Sequence, residues 1–276
     1  MSIETKSEKV NQGENFRQDP MALEVAPNPK DEVPNVFLAI PNLGEIATFN
    51  TLIIGRWLAM AYTQERWNIN LYFPCDHVPP SKARNNIHKA FINSKYDYLF
   101  TLDSDVVPPP NALPLLLKYV TDEEVERHIV GLTVQMSKMT QKGAMLAPSA
   151  FEYKEGPGGY VIAQGEGLTQ VDVVTLAATI RTRELMEAVG AGAYEERMHG
   201  EYKDSTTGED FVFGEHVLDL VDEGHEEYRP WVDFNHICSH YVTMNTRGAN
   251  DLLIRTENFA KQQVVEEGSR DATSEA

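Results

Sequence analysis

The sequence predicts an α/β fold with a central, mostly parallel mixed sheet flanked by helices. Two observations point there: short apolar runs alternate with helix-period stretches, and one such run ends abruptly in Asp103-Ser-Asp105. A first strand over 36–40 breaks at Pro41-Asn42-Leu-Gly44, and apolar spacing over 49–62 predicts a helix. A second strand, 69–73, precedes a helix over about 81–93 with Ser81 as its cap. The run 98–102 is the strand before the acid pair, Asn111 opens a helix over 112–119, and 129–134 is the next strand. Beyond it the pattern changes. Residues 151–153 and 160–163 flank a glycine-rich hairpin tip, 171–177 returns to the sheet, 183–189 and 209–221 are helical, and 231–238 is the last strand.

The polar, proline-punctuated residues 1–33 are expected to be a disordered leader, 34–262 a single domain, and 263–276 a flexible acidic tail. With 42 acids against 24 Lys plus Arg, the 276-residue chain carries a formal charge of −18. Such a field repels nucleic acids and anionic membranes, so no direct nucleic-acid affinity is expected. No apolar run reaches the roughly 18 residues of a membrane span. The polar start and the pair Cys75 and Cys238, far apart in sequence, fit reduced thiols in a cytoplasm.

Three constellations can carry chemistry. In an extended segment Asp103 and Asp105 point the same way and can converge on one cation, just beyond a strand's carboxyl end. A divalent ion there would reverse the local sign and admit a phosphorylated substrate. Taken alone, Asp-x-Asp also caps turns. One helix upstream, Arg84 in Ser81-Lys-Ala-Arg84-Asn85 is placed to reach a phosphate or ribose, although it also fits a solvated helix start. Thr207-Gly208-Glu209-Asp210 opens an amphipathic helix, where Thr207 and Asp210 suit a variant capping box and Asp210 equally suits a general base. Finally, His236, Cys238 and His240 share a face if extended, which suits a soft metal. A single histidine completing an oxygen-rich site favours Mn²⁺ over Mg²⁺. Phosphate-binding and dinucleotide-binding glycine loops and a nucleophile elbow are missing from the sequence.

In order, these pieces resemble the family 2-type glycosyltransferases of the GT-A fold, a Rossmann-like nucleotide-diphospho-sugar transferase fold, especially the compact phage and archaeal-virus versions. The resemblance runs from about residue 36 to 240, strongest from Lys82-Ala-Arg84-Asn85 through Asp103-Ser104-Asp105-Val-Val-Pro, with Gly208-Glu209-Asp210 and Cys238-Ser-His240 following. It implies that Pro41, Asn42, Gly44 and Glu45 contact base and ribose, joined by Arg84, Asn85, Asp103 and Ser104 in donor binding. It further implies that Asp103, Asp105 and His240 hold Mn²⁺ (or Mg²⁺) on the diphosphate of a UDP-sugar. Asp210 would then deprotonate the acceptor hydroxyl in an inverting transfer. The acceptor, whether glycan, lipid, protein or modified base, is left open, and a viral member would work in the host cytoplasm. The segment 173–182 lacks the glycine turn common in the family, and Ser239 stands where glycine is common. The alternatives are a metal-dependent nucleotidyltransferase and a non-catalytic acidic binding protein.

Overall fold

The computed structural model of the chain describes residues 33–42, 46, 48–64, 66–74, 79–140, 143–154, 159–195, 197–199 and 205–240. Apart from residue 33, the expected leader lies outside these residues, as does the acidic tail.

Strand β1 (Asn35–Ala39) leads into helix α1 (Thr48–Gln64), β2 (Asn68–Tyr72), α2 (Pro80–Ile92) and β3 (Tyr98–Leu102). The short β4 (Val106–Val107), α3 (Ala112–Val120) and the long β5 (Ile129–Thr140) follow. Next come β6 (Gly143–Pro148), β7 (Ala150–Tyr153), β8 (Tyr160–Ile162), β9 (Leu168–Gln170), β10 (Val173–Val174) and β11 (Ala178–Thr182). Helix α4 (Arg183–Val189), β12 (Arg197–His199), β13 (Ser205–Thr207), α5 (Glu209–Asp222) and β14 (Trp231–His240) complete the order.

The central sheet runs β2-β1-β3-β11-β5-β14-β4. Pairs β1–β2, β1–β3 and β5–β14 are parallel, while β11 is antiparallel to both β3 and β5. Strands β1, β2, β3, β5 and β14 therefore share one direction, with β11 and β4 reversed. One buried cluster, including Trp57, Leu113, Leu116 and Phe100, lies under α1 and α3. The other, including Ile87, Phe91, Leu185, Phe213 and Val217, lies under α2, α4 and α5. Buried on both faces, the inner strands read as continuous apolar runs, which made β1 and β3 legible.

The expected return to the sheet at 171–177 falls elsewhere. Val173–Val174 pairs with β7 in a separate three-stranded sheet, and the main-sheet strand is β11. The apolar run continues through the turn at Leu176-Ala177, so its composition carries no boundary. The hairpin of β5 with β6 was also unforeseen. Two expected caps differ: α2 begins at Pro80, with Ser81 buried inside the helix, and Asn111 makes no side-chain cap bond. Proline suits the first helical position because its missing N–H has no intrahelical partner there.

Helix α5 carries a glycine in its middle, which would ordinarily weaken it. A Cβ at Gly214 would stand 2.7 and 2.9 Å from the two methyl carbons of Val173, so the missing side chain lets β10 lie against α5. Gly214→Ala is expected to lower stability by about 1–3 kcal/mol, because branched Val173 has no rotamer that clears the methyl group. Urea unfolding at unchanged m-value checks it; an unaltered midpoint would refute the close contact.

Candidate functional site

Because β1, β3 and β14 run the same way, Pro41 and Asn42, Asp103, and His240 all emerge at one edge of the sheet. Several bonds fix the turn after β3. The Asp103 amide donates to Ala177 O at 2.8 Å, and the Val106 amide donates to Asp103 O at 3.1 Å. Fully buried Asn50 of α1 donates from Nδ2 to Ser104 O at 3.2 Å, and Trp57 Nε1 donates to Pro110 O at 2.9 Å. Asn50 and Trp57 thus clamp the acid-bearing loop from outside, and nothing in their local sequence announced this.

Asp105 and His240 meet. Strand β4 pairs antiparallel with the end of β14, setting His240 opposite Val106. The His240 Nε2 lies 3.1 Å from Asp105 Oδ2, joining residues 135 apart, and both side chains are partly solvent-exposed. A carboxylate and an imidazole suit Mn²⁺ or Mg²⁺, and exposure leaves room for further oxygen ligands, but Asp103 does not bring a third ligand atom within 4.8 Å of this pair.

Behind this pair lies a buried charge network. Arg84 is 5% exposed and donates from Nη2 to Asp103 Oδ1 at 2.8 Å, so its guanidinium faces inward onto the acid. Burial opposes its charge, but the carboxylates of Asp103, Asp210 and Glu209 outweigh it and raise its pKa. Asp210, in the first turn of α5, accepts a backbone hydrogen bond from Leu176. Burial, opposed by Arg84 and reinforced by Glu209 and Asp103, pushes its carboxyl up to about 7. Arg84 Nη1 and Asp210 Oδ1 are both buried with no hydrogen-bond partner among the described residues. A donor and an acceptor are thereby left available in one pocket of charge. Deeper still, Arg181 of β11 is fully buried and donates to Tyr194 Oη at 2.8 Å and Thr101 Oγ1 at 2.7 Å, above the Phe213 ring. Two arginines thus balance Asp103 and Asp210. A lone arginine in Ala-Thr-Ile-Arg-Thr carries no sign of burial, which is why sequence reasoning missed it.

The remaining candidates scatter. Asn42 is buried and donates from Nδ2 to Ile40 O at 3.0 Å. Asn85 is half-buried, with a buried Oδ1 lacking a partner among the described residues. Ser104 sits half-buried in the turn. Gly44 and Glu45 lie outside the described residues. Gly208, not Thr207, is the cap of α5, so the cap residue itself makes no side-chain bond. Nor do His236, Cys238 and His240 share a face. The strand bulges between Asp233 and Ile237, and His236 Nδ1 turns back to buried Asp233 at 2.8 Å. Asp233 also accepts from Tyr119 Oη at 2.7 Å and the Asn235 amide at 2.8 Å, which together stabilise the bulge. Cys238 is a buried free thiol whose pKa burial pushes up to about 12, unsuited to a thiolate ligand.

Among the described residues, the group that does bring three ligand atoms within 4.8 Å of one another is Glu126, His128 and Glu184. It occupies the opposite edge, where β5 starts and β11 ends. His128 is engaged by Thr182 Oγ1 at 2.7 Å and Glu126 at 3.1 Å, and Glu184 accepts from Tyr228 Oη at 3.2 Å. No spacing in the sequence joins these residues, so it was missed.

No family model matches the chain, and no curated protein matches it. Solved structures similar to it include A197 from STIV, at 17% identity and TM-score 0.44, covering 76% of this chain and 86% of that one. GalNAc-T7 with UDP, GalNAc and Mn²⁺ is similar at 8% identity and TM-score 0.44, over 77% of this chain and 45% of that one. The mannosyltransferase PcManGT from Pyrobaculum calidifontis in complex with GDP-Man and Mn²⁺ is similar at 11% identity and TM-score 0.44, over 80% and 61%. The chain thus spans less than two thirds of the length of the last two. Among the described residues, no helix is long and apolar enough to cross a membrane.

Proposed function

We propose that this chain is a metal-dependent glycosyltransferase that moves a sugar from a UDP-sugar to an acceptor hydroxyl with inversion. The observation that carries the reading is the 3.1 Å approach of His240 to Asp105 across 135 residues, on the same sheet edge as Asp103 and Asp210. Asp103, Asp105 and His240 would hold Mn²⁺ or Mg²⁺, which when bound supplies positive charge beside the donor diphosphate. Arg84 positions Asp103 through Nη2, and its unpartnered Nη1 would remain for a donor oxygen. Asp210 takes the acceptor hydroxyl's proton as the oxygen forms its bond to the anomeric carbon, and the departing diphosphate oxygen keeps the electron pair of the broken bond. A net charge of −18 would otherwise repel such a donor, which gives the cation a second role in binding.

A screen of nucleotide sugars for Mn²⁺-dependent release of nucleoside diphosphate tests the reading. Release from a UDP-sugar that stops on adding EDTA supports it. Pyrophosphate as product would instead mark a nucleotidyltransferase, and no turnover with any donor would leave a non-catalytic binding protein.

A further inference from the structure

Strands β7 and β8 pair with Phe151 opposite Ile162 and Tyr153 opposite Tyr160, so these four side chains share one face of the hairpin. That face continues onto α5. The Phe211 ring lies 4.8 Å from Phe151 and 5.1 Å from Tyr160, and Tyr160 lies 5.5 Å from Tyr153. The stripe opens outward: Phe211, Phe151 and Tyr160 are half-buried, and Tyr153 is 53% exposed. None of the four aromatics belongs to either core cluster. Its inner end, Phe211, directly follows Asp210 in the chain.

Acids surround the rings. Burial, then Glu215, Tyr153, Asp172 and Asp219, push the Tyr160 hydroxyl up to about 12. Asp172 Oδ2 accepts the Tyr153 amide at 2.7 Å, and its Oδ1 accepts from Arg229 at 2.7 Å. Glu215 and Asp219 follow Phe211 by one and two turns of α5, so they lie along the same flank.

We infer that this aromatic stripe seats the acceptor, and that the acceptor is a neutral saccharide chain. The inference rests on the glycosyl-transfer reading and names its acceptor class. Ring faces carry negative charge and attract the polarised C–H faces of pyranose rings. Carboxylates accept bonds from sugar hydroxyls, and those of Glu215 and Asp219, unlike Asp172 paired with Arg229, repel the phosphates of nucleic acid and anionic lipid, which would otherwise also find stacking surface or apolar contact here. A neutral polyol with apolar ring faces satisfies both demands.

The test uses the full-length chain without donor or metal. Neutral hexasaccharides of glucose, mannose and N-acetylglucosamine are titrated while aromatic resonances of Tyr153 and Tyr160 are followed by NMR. At least one is expected to shift both. Tyr153→Ala should weaken that binding about tenfold, and Tyr153→Phe should restore it, because the ring face rather than the hydroxyl makes the contact. Overturning results are the absence of any saccharide-dependent shift, binding equal in Tyr153→Ala, or shifts produced by single-stranded RNA or anionic vesicles instead. Wild-type donor hydrolysis in Mn²⁺, measured separately, tells the two readings apart. Hydrolysis without saccharide binding sinks the stripe alone, and saccharide binding without hydrolysis of any donor sinks the transfer reading.

Discussion

Asp210→Asn is expected to lower transfer about 10²–10⁴-fold and, at neutral pH and above, to make the protein more stable. The amide keeps the shape of the carboxyl but cannot accept the acceptor's proton, so turnover falls while donor binding is retained. The stability effect follows from linkage. The folded chain holds the Asp210 proton up to about pH 7, whereas the ordinary carboxyl releases it near 3.8. A raised folded pKa contributes stability that is full below 3.8 and is lost as pH rises through about 7. Above that range the buried carboxylate is a net cost, which asparagine removes. The difference in melting temperature between variant and wild type should therefore grow from pH 4 to pH 8. Transfer by the wild type should rise over the upper part of the same interval as the base becomes ionised. A variant that loses activity and stability together at pH 8 would assign Asp210 a structural role and refute the base assignment.

How much of this is legible in the sequence depends on how local each signal is. The strand 98–102 and its trailing acids were visible because the run is apolar throughout and ends in a polar turn, and β3 occupies Tyr98–Leu102. The helix bearing Asp210 was visible from its apolar spacing. The meeting of Asp105 with His240 had no local signature, since it depends on β4 adding to the far end of β14. Only the resemblance to a family placed them together beforehand. Arg181 and Asn50 were invisible for another reason. A buried charge or amide is tolerated only where distant partners satisfy it, here Tyr194, Thr101 and the Ser104 carbonyl, and a sequence window contains none of them. The bulge in β14 shows the limit of period counting. Alternation put His236 with His240, but Asp233 gathers three donors and turns that segment out of register.

Asp105→Ala and His240→Ala are each expected to abolish the gain in UDP-sugar affinity that Mn²⁺ confers, with little effect on folding. The two side chains contact each other at 3.1 Å but are 52% and 32% exposed, and an exposed pair of this kind contributes only about 0–1 kcal/mol to stability. Under the proposed function their value lies in the cation they would hold jointly. Removing either would leave two ligands of the proposed set, which compete poorly with water for a hard cation. Asp103→Ala makes an instructive contrast. It strands the buried Arg84 without its 2.8 Å partner, so it should cost about 3–5 kcal/mol of stability in addition to donor binding. Isothermal titration of the UDP-sugar with Mn²⁺ and with EDTA, run beside urea unfolding, separates the cases. If Asp105→Ala retains the full Mn²⁺-dependent gain, the cation does not sit between Asp105 and His240, and the proposed donor site is wrong. If Asp105→Ala unfolds as readily as Asp103→Ala, the exposed pair is structural, and its loss of donor binding would carry no information about a metal.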